Sequence, residues 1–178
     1  MNEVLKVIAD RCSTRSYTEE KLTKEEIEQI ITAGLQAPTA ANRQEIHISV
    51  IDGSNPNLRE LNQATDARRN VTGSTHNFYY DAPTVFFLSG PAASPYWSTL
   101  DAGIAVENMT LAAESLGLGT LIIGWVLEDM IGEQKEYWNA KFGIPENCEF
   151  KICLAVGHQL KGKTPHTFDY TKSVTHLD

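Results

Sequence analysis

The chain has 178 residues, a length that favours one domain with a single hydrophobic core spanning residues 1–178. Apolar residues make up 42% and charged residues 21%, an ordinary globular mixture that excludes collagenous, fibrous and disordered classes. The net charge of −8 argues against a nucleic-acid partner, because nucleic-acid binders normally carry a basic stripe. No apolar run approaches the length of a membrane span, so we expect no membrane partner.

The cysteine content indicates the redox setting. Cys12, Cys148 and Cys153 form an odd and sparse set that does not resemble a disulfide framework. No pair has the C-x-x-C spacing of a zinc site or a redox dithiol, so we expect no metal. The N-terminal residues lack the apolar stretch of a secretory signal. A cytoplasmic location is therefore the expectation.

Helical and strand patterns alternate along the chain, which predicts an α/β or α+β fold. Apolar residues at helical spacing predict a first helix over 2–10, and Thr23 with Glu26 forms a capping box that opens a second helix ending near Pro38. The elements predicted after it are a strand over 46–51, a short helix over 56–63, a strand over 84–88, a helix over 101–116, a strand over 118–123, a helix over 128–141 and a strand over 150–156. Residues 64–80 are polar and mixed and match no element.

The predicted helix over 101–116 is apolar around most of its circumference, which indicates burial on more than one side. In a chain of this size, such burial can require a second subunit. Gly117 is a natural helix stop.

A basic cluster follows the first helix. Arg11, Ser13 and Arg15 are spaced at i, i+2 and i+4, so in an extended segment their side chains share one face. Two guanidinium groups and a hydroxyl on one face suit a phosphate, which guanidinium binds bidentately. The alternative is that these arginines pair with Glu19, Glu20 and other surface acids.

A loop of small residues and amides occupies residues 37–44, between a helix and a strand. Small residues allow close approach to a flat ligand, and the amides of Asn42 and Gln44 both donate and accept hydrogen bonds. Such a loop suits the edge of a planar heterocycle. The alternative is an ordinary helix–strand connection.

Glycines flank the short apolar strand predicted over 118–123. Gly119 and Gly124 would let backbone groups approach a ring closely, but neither G-x-G-x-x-G nor G-x-x-x-x-G-K-[ST] occurs. Turns that bracket a core strand are the alternative interpretation.

Together, in this order and spacing, these clusters resemble the nitroreductase superfamily. The resemblance lies in three stretches, RCSTRSYTEEKLTKEEIEQIITAGLQAPTAANRQEIHISVI, DAGIAVENMTLAAESLGLGTLIIG and CLAVGHQLKGKTP. It covers nearly the whole chain except about 52–80. The specific part is the R-x-S-x-R element followed by a capped helix and an A-P-T-A-x-N-x-Q loop.

The resemblance implies a three-layer α+β fold with a mainly antiparallel central sheet flanked by helices. It also implies an intertwined homodimer with flavin mononucleotide (FMN) at the subunit interface. The implied activity is transfer of hydride from NADH or NADPH, through the flavin N5, to a small electron-poor acceptor such as a nitroaromatic, quinone or activated alkene. Turnover would be ping-pong, without a catalytic side chain.

The resemblance also implies the cofactor-binding residues. Phosphate and ribityl contacts would come from Arg11, Ser13 and Arg15, with the backbone of Cys12. A loop contributed by the other subunit would place Pro38, Thr39 and Ala40 near the ring. Asn42 and Gln44 match the amide residues of the same loop in the family. The backbone of Ile123, Gly124 and Trp125 would run past the flavin. The family more often has Arg near the position of His166, where this chain has none. Lys163 is therefore the residue expected to complete the phosphate site, and His166 is the alternative.

Other aromatic and imidazole side chains are interpreted more simply. His47, His76 and His158 are interpreted as surface or locally hydrogen-bonded residues. Trp97 and Trp138 are interpreted as packing residues, and Trp125 as a packing residue that could also line the ring pocket. Residues 64–80 are expected to border the substrate pocket.

Three rival functions stay open. The first is a specialised family reaction such as dehalogenation, azoline oxidation or flavin fragmentation, although a short chain without a large lid favours a general reductase. The second is a flavin-binding or redox-sensing module that seldom turns over. The third is an anion-binding domain that holds no flavin.

Overall fold

Helices and strands alternate along the chain, and the computed structural model describes residues 1–162 and 164–177. The helices are α1 (Glu3–Asp10), α2 (Lys24–Leu35), α3 (Pro56–Arg68), α4 (Pro95–Ser115), α5 (Leu127–Ile131), α6 (Lys135–Phe142) and α7 (Tyr170–Ser173). The strands are β1 (His47–Asp52), β2 (Thr84–Pro91), β3 (Gly119–Ile123) and β4 (Cys148–Gly157). A short 3₁₀ turn, Ala40–Asn42, lies between α2 and β1.

The four strands form one sheet in the order β1-β2-β4-β3. Every neighbouring pair is antiparallel, with Phe86 opposite both Val50 and Leu154. The central strands β2 and β4 are therefore paired on both sides, and β1 and β3 form the edges. The prediction of an α+β fold around a mainly antiparallel sheet is confirmed.

Alternate residues of the central strands enter two separate cores. One face of the sheet packs against α3, α5 and α6 through Val85, Phe87, Phe150, Cys153 and Ala155. The opposite face packs against α2 and α4 through Phe86, Leu88, Leu154 and Val156. Because both faces are covered, β2 and β4 are hydrophobic at consecutive positions instead of alternating with polar ones. This is the three-layer arrangement that the resemblance implied.

Local signals set two helix ends as predicted. The backbone N–H of Thr23 donates to the Glu26 carboxylate at 2.7 Å, and the N–H of Glu26 donates to Thr23 Oγ1 at 3.2 Å. The hydrogen bond from the Thr23 backbone lowers the pKa of Glu26. At the end of α4, Gly117 has a φ of +77°, which a residue with a side chain rarely adopts. The capping box and the helix stop are both confirmed.

Three predicted helices have different bounds in the structure. The helix predicted over 56–63 continues to Arg68, because its last turn is held by Asp129 on α5. The helix predicted from residue 101 begins at Pro95, whose fixed φ suits a first helical turn. The helix predicted over 128–141 is two helices separated at Gly132, where an added Cβ would lie 2.6 Å from the Glu128 carbonyl oxygen.

The helix α4 is buried on one side only. Ala102, Ala105, Met109 and Ala113 face the second core. The other side exposes a group of large apolar residues, Tyr96, Trp97, Leu100 and Ile104. The single chain therefore leaves this side of the helix uncovered, and its burial by a second subunit stays a prediction. Within the single chain Trp97 is 53% exposed, so its interpretation as a packing residue is wrong there. Trp138 is 1% exposed, so its packing role is confirmed.

The helix α1 also lies on the surface, with no buried residue. Its apolar residues Val4, Leu5 and Ile8 are between 49% and 66% exposed. Within residues 1–162 and 164–177, no helix is both long and apolar enough to cross a membrane.

Candidate functional site

The segment that contains the basic cluster is fixed against the sheet edge. The N–H of Thr14 donates to the Thr120 carbonyl at 2.8 Å, and Ser13 forms a parallel bridge with Thr120. Four residues later, the N–H of Thr18 donates to the His158 carbonyl at 2.9 Å. These bonds hold the segment beside the start of β3 and the end of β4.

Burial alternates along this segment. Cys12 and Thr14 are buried, Arg11 and Ser13 are half-buried, and Arg15 is exposed. This alternation is that of an extended chain, so Arg11, Ser13 and Arg15 share the outward side. Because the Cys12 side chain is buried, only the backbone of Cys12 lies toward the outward side that carries the two arginines and Ser13.

The two arginines of the cluster form no ion pair with an acidic side chain among the described residues. Among the ion pairs formed by the described residues, none involves Arg11 or Arg15. Glu20 instead lies 3.9 Å from the Nε2 of His158. The alternative in which Glu19 and Glu20 pair with these arginines is not what the structure shows.

One carboxyl group on α4 lies near the cluster. Burial raises the pKa of Glu114, with the negative charge of Asp10 acting in the same direction and the positive charge of Arg11 opposing it. The Oε2 atom of Glu114 is buried without a hydrogen-bond partner in the part of the chain that the structure describes.

A cavity of about 600 Å³ lies beside the edge strand β3. One wall is formed by consecutive residues at the end of β3 and just after it, Leu121, Ile122, Ile123, Gly124 and Trp125. Arg15 lines the same cavity, and residues 71–76 form the facing wall. The cavity therefore brings together one arginine of the basic cluster and all three residues predicted to run past a flavin.

The facing wall comes from the segment that no sequence pattern placed. Asn62 on α3 accepts a hydrogen bond from the Phe78 N–H at 2.8 Å and donates to the Asp66 carboxylate at 2.8 Å. His76 stacks on Tyr80 with their ring centroids 4.1 Å apart, and both line the cavity. Within 64–80, the cavity is lined by Asp66, residues 71–76, Phe78 and Tyr80. That this cavity is the substrate pocket stays a prediction, and His76 is a cavity residue that sequence reasoning did not identify.

The loop predicted near the ring lies elsewhere in the single chain. The N–H of Ala40 donates to Asp101 Oδ1 at 2.9 Å, which ties the loop to α4. Pro38, Thr39, Ala40, Asn42 and Gln44 are all absent from the lining of the cavity beside β3. Gln44 donates to Asn42 Oδ1 at 2.9 Å instead of to a neighbouring element.

The backbone of this loop is strained. Ala41, Asn42 and Gln44 have φ values of +52°, +53° and +55°. Each such residue is held in a sparsely populated conformation that costs about 1–3 kcal/mol. The predicted phosphate contact Lys163 lies outside the described residues, and its alternative His166 is exposed.

Two consecutive arginines end α3 and have different surroundings. Arg68 donates to both carboxylate oxygens of Asp129, Nε–Oδ1 at 2.7 Å and Nη2–Oδ2 at 2.9 Å, and also contacts Glu128. Burial acts to raise the pKa of Asp129, but hydrogen bonds from Arg68 and Thr65 lower it below its ordinary value.

The second arginine packs on a residue of the cavity wall. The guanidinium carbon of Arg69 lies 3.6 Å from the ring centroid of Trp125. Trp125 lines the cavity, and its place beside a flavin ring stays a prediction.

Comparison with known proteins gives one family. Residues 8–158 match the model of the Nitroreductase family. FMN reductase [NAD(P)H] of Bacillus subtilis (strain 168) is 33% identical over 148 residues, which cover 71% of this chain and 55% of that protein, so the chain spans about half the length of this relative. A nitroreductase with bound FMN from Desulfitobacterium hafniense DCB-2 superimposes with a TM-score of 0.89 at 27% identity, covering 100% of both chains. A nitroreductase with bound FMN from Bacteroides fragilis NCTC 9343 gives a TM-score of 0.88 at 25% identity, again over 100% of both chains.

Proposed function

Because the chain belongs to the nitroreductase family, we propose that it is an FMN-dependent oxidoreductase that passes hydride from NADH or NADPH to a small electron-poor acceptor. The observation that carries this proposal is the cavity beside β3, which joins Arg15 to the backbone stretch Ile123–Trp125. The two structural relatives with bound FMN support the choice of cofactor.

The residues present fit this cofactor at both of its ends. Arg11, Ser13 and Arg15 share one side of an extended segment and would hold the FMN phosphate through charge-assisted hydrogen bonds. The flat ring would lie along β3, where Gly124 leaves open space. An added Cβ there would meet only Ile152 Cδ1, at 3.9 Å.

Bound FMN would supply the chemistry, since its N5 accepts and donates hydride, and the protein would supply orientation and charge. A cavity of about 600 Å³ would hold the flavin ring together with one further small ligand on the exposed face of the ring. The nicotinamide and the acceptor would therefore occupy the space beside the cofactor in turn, which is ping-pong turnover. A nitroaromatic, quinone or activated alkene would suit such a site.

We also propose that the enzyme is a homodimer. The exposed apolar group on α4, formed by Tyr96, Trp97, Leu100 and Ile104, is the kind of surface that marks an interface. The loop 38–44 is tied to the same helix through Asp101, so an interface on α4 would carry this loop toward the partner's cavity. Sedimentation analysis should give a dimer, and Trp97→Glu should shift it toward monomer by burying a charge at the interface.

The first test is the visible absorption spectrum of the purified protein, with FMN added if needed. Flavin bands that bleach with NADH or NADPH in the absence of oxygen and return with a nitroaromatic or quinone would support the reductase. Bands that bleach but return with no acceptor would favour a redox-sensing module, and recovery with only a halogenated or azoline substrate would favour a specialised reaction. Absence of flavin bands after reconstitution would overturn the proposal in favour of an anion-binding domain.

The phosphate contacts have a separate test. Arg11→Ala or Arg15→Ala should weaken FMN binding by about 1.5–3 kcal/mol, the contribution of a charged hydrogen bond. This corresponds to a rise in Kd of roughly 10- to 150-fold. Lys24→Ala is a matched control, because it removes an exposed cation whose one ion-pair partner among the described residues is Glu28 at 3.4 Å. Wild-type affinity in both arginine variants would contradict the phosphate assignment.

A further inference from the structure

The guanidinium group of Arg69 packs on the aromatic face of a residue that lines the cavity. Its guanidinium carbon lies 3.6 Å from the centroid of Trp125, within the range of a cation–π contact. Trp125 lines the cavity and is 42% exposed, so the stack lies on a part of the cavity wall that solvent reaches. Since the contact uses the face of the guanidinium, its N–H groups at the edge stay available to donate hydrogen bonds.

The neighbouring residue Arg68 has a structural role at the end of α3. Arg68 is paired with Asp129 and Glu128, which fixes the end of α3 to α5. Across the parts of the chain described here, no ion pair includes Arg69. The last turn of α3 is therefore anchored by Arg68, while Arg69 packs on Trp125 in the cavity wall.

The charge at the cavity wall is unusual for this protein. The chain carries a net charge of −8, yet Arg15 lines the cavity and Arg69 stacks on its Trp125. The acidic residue in the lining, Asp66, already accepts a hydrogen bond from Asn62. Arg15 is assigned above to the cofactor phosphate, which leaves Arg69 for a second anion.

We propose that Arg69, positioned by Trp125, is a specificity-determining residue that binds an anionic group of the molecule entering beside the cofactor. This inference rests on the proposed function and names the substrate class of the same site. The anion is a phosphate or a carboxylate, groups that a guanidinium edge binds bidentately. It would come either from the dinucleotide reductant or from an acidic acceptor.

The test compares charged and neutral substrates in FMN-loaded Arg69→Gln. The reductants are NADPH, NADH and reduced nicotinamide riboside, which lacks phosphate, and the acceptors are 4-nitrobenzoate and nitrobenzene. The ratio of kcat/KM for the anionic to the neutral member of one set should fall about tenfold or more. A fall for NADPH alone assigns the 2′-phosphate, a fall for NADPH and NADH together assigns the pyrophosphate, and a fall for 4-nitrobenzoate assigns the acceptor.

Binding without turnover gives a second readout. Titration of the oxidised protein with NADP⁺ or 4-nitrobenzoate, followed by changes in the flavin absorption bands, should show the same weakening in Arg69→Gln. Arg69→Lys should recover only part of it, because a lysine keeps the charge but loses the planar fork. Lys24→Gln, an exposed cation on α2, serves as the control for net charge.

Three results would overturn the inference. Equal losses for charged and neutral substrates would indicate a structural role for Arg69, and unchanged ratios in both sets would indicate no anion contact. Loss of FMN from Arg69→Gln would place the residue in the cofactor's own phosphate site. Failure of the wild-type protein to bind FMN is a different outcome, since it refutes the proposed function before any substrate is compared.

Discussion

Gly119 makes room for the segment that carries the basic cluster, so a single methyl group there should disturb both stability and cofactor binding. A Cβ added at Gly119 would lie 2.5 Å from Thr14 Oγ1 and 2.8 Å from Thr14 Cγ2, and would also collide with Gln159 Cγ. Ordinary carbon contacts lie at about 3.5–4.0 Å, so the neighbours would have to move by about 1 Å.

The two neighbours differ in how easily they can move. Gln159 has a flexible side chain, whereas Thr14 is 1% exposed, branched at Cβ and held by its backbone bond to Thr120 at 2.8 Å. Gly119→Ala should therefore push the segment outward at a cost of about 1–3 kcal/mol in the free energy of unfolding, as overpacking usually does. For a chain of this length, each kcal/mol lowers Tm by roughly 2–4 °C.

The assay is urea unfolding with FMN titration of Gly119→Ala, Thr14→Ala and the double variant. Thr14 Oγ1 is buried without a hydrogen-bond partner in the described chain, so Thr14→Ala is the matched control for loss of that side chain. The double variant should recover part of the stability and FMN affinity lost in Gly119→Ala. Stability within about 0.5 kcal/mol of wild type, together with unchanged FMN affinity, would refute the reasoning.

Two further predictions concern buried carboxyl groups. Asp129→Asn should cost about 1.5–3 kcal/mol in urea unfolding at neutral pH, because Arg68 and Thr65 lose a carboxylate that is 7% exposed. Since the folded-state pKa of Asp129 is lowered, its contribution to stability should be present above the ordinary pKa and be lost as pH falls. The free energies of unfolding of wild type and variant should therefore converge in acid. A difference that stays constant with pH would contradict this. The contribution of Glu114 to stability has the opposite pH dependence, because burial raises its folded-state pKa. This contribution is full below the ordinary pKa of 4.5 and is lost as pH rises through the folded-state pKa. Glu114→Gln should therefore flatten the decline of stability above about pH 4.5, and an unchanged slope would refute the assignment.

Much of the fold follows from local pattern because the responsible interactions are short in sequence. The capping box joins Thr23 and Glu26, which are three positions apart, and the stop at Gly117 depends on one backbone angle. The consecutive apolar residues of β2 and β4 reflect burial on both faces, which a sequence shows directly. The spacing of Arg11, Ser13 and Arg15 likewise shows which side chains share a face of an extended segment.

The missed features depend on contacts that the local hydrophobic pattern does not show. The last turn of α3 is held by Asp129, 61 residues after Arg68, and nothing within 64–68 signals that partner. The segment 71–76 lines the cavity but has no apolar period, so no local pattern places it there. The break at Gly132 comes from a close backbone approach to Glu128, which a helical pattern on both sides conceals.

The position of the cavity on an edge strand has a consequence for how this scaffold can be altered. Ile122 on β3 is 36% exposed, whereas the neighbouring β4 residues Leu154 and Ala155 are fully buried. Substitutions at Ile122, Trp125 and 71–76 can therefore reshape the cavity without repacking either core. A library confined to these positions should yield mostly folded variants with altered substrate range, whereas the same diversity placed on β4 should yield mostly insoluble protein.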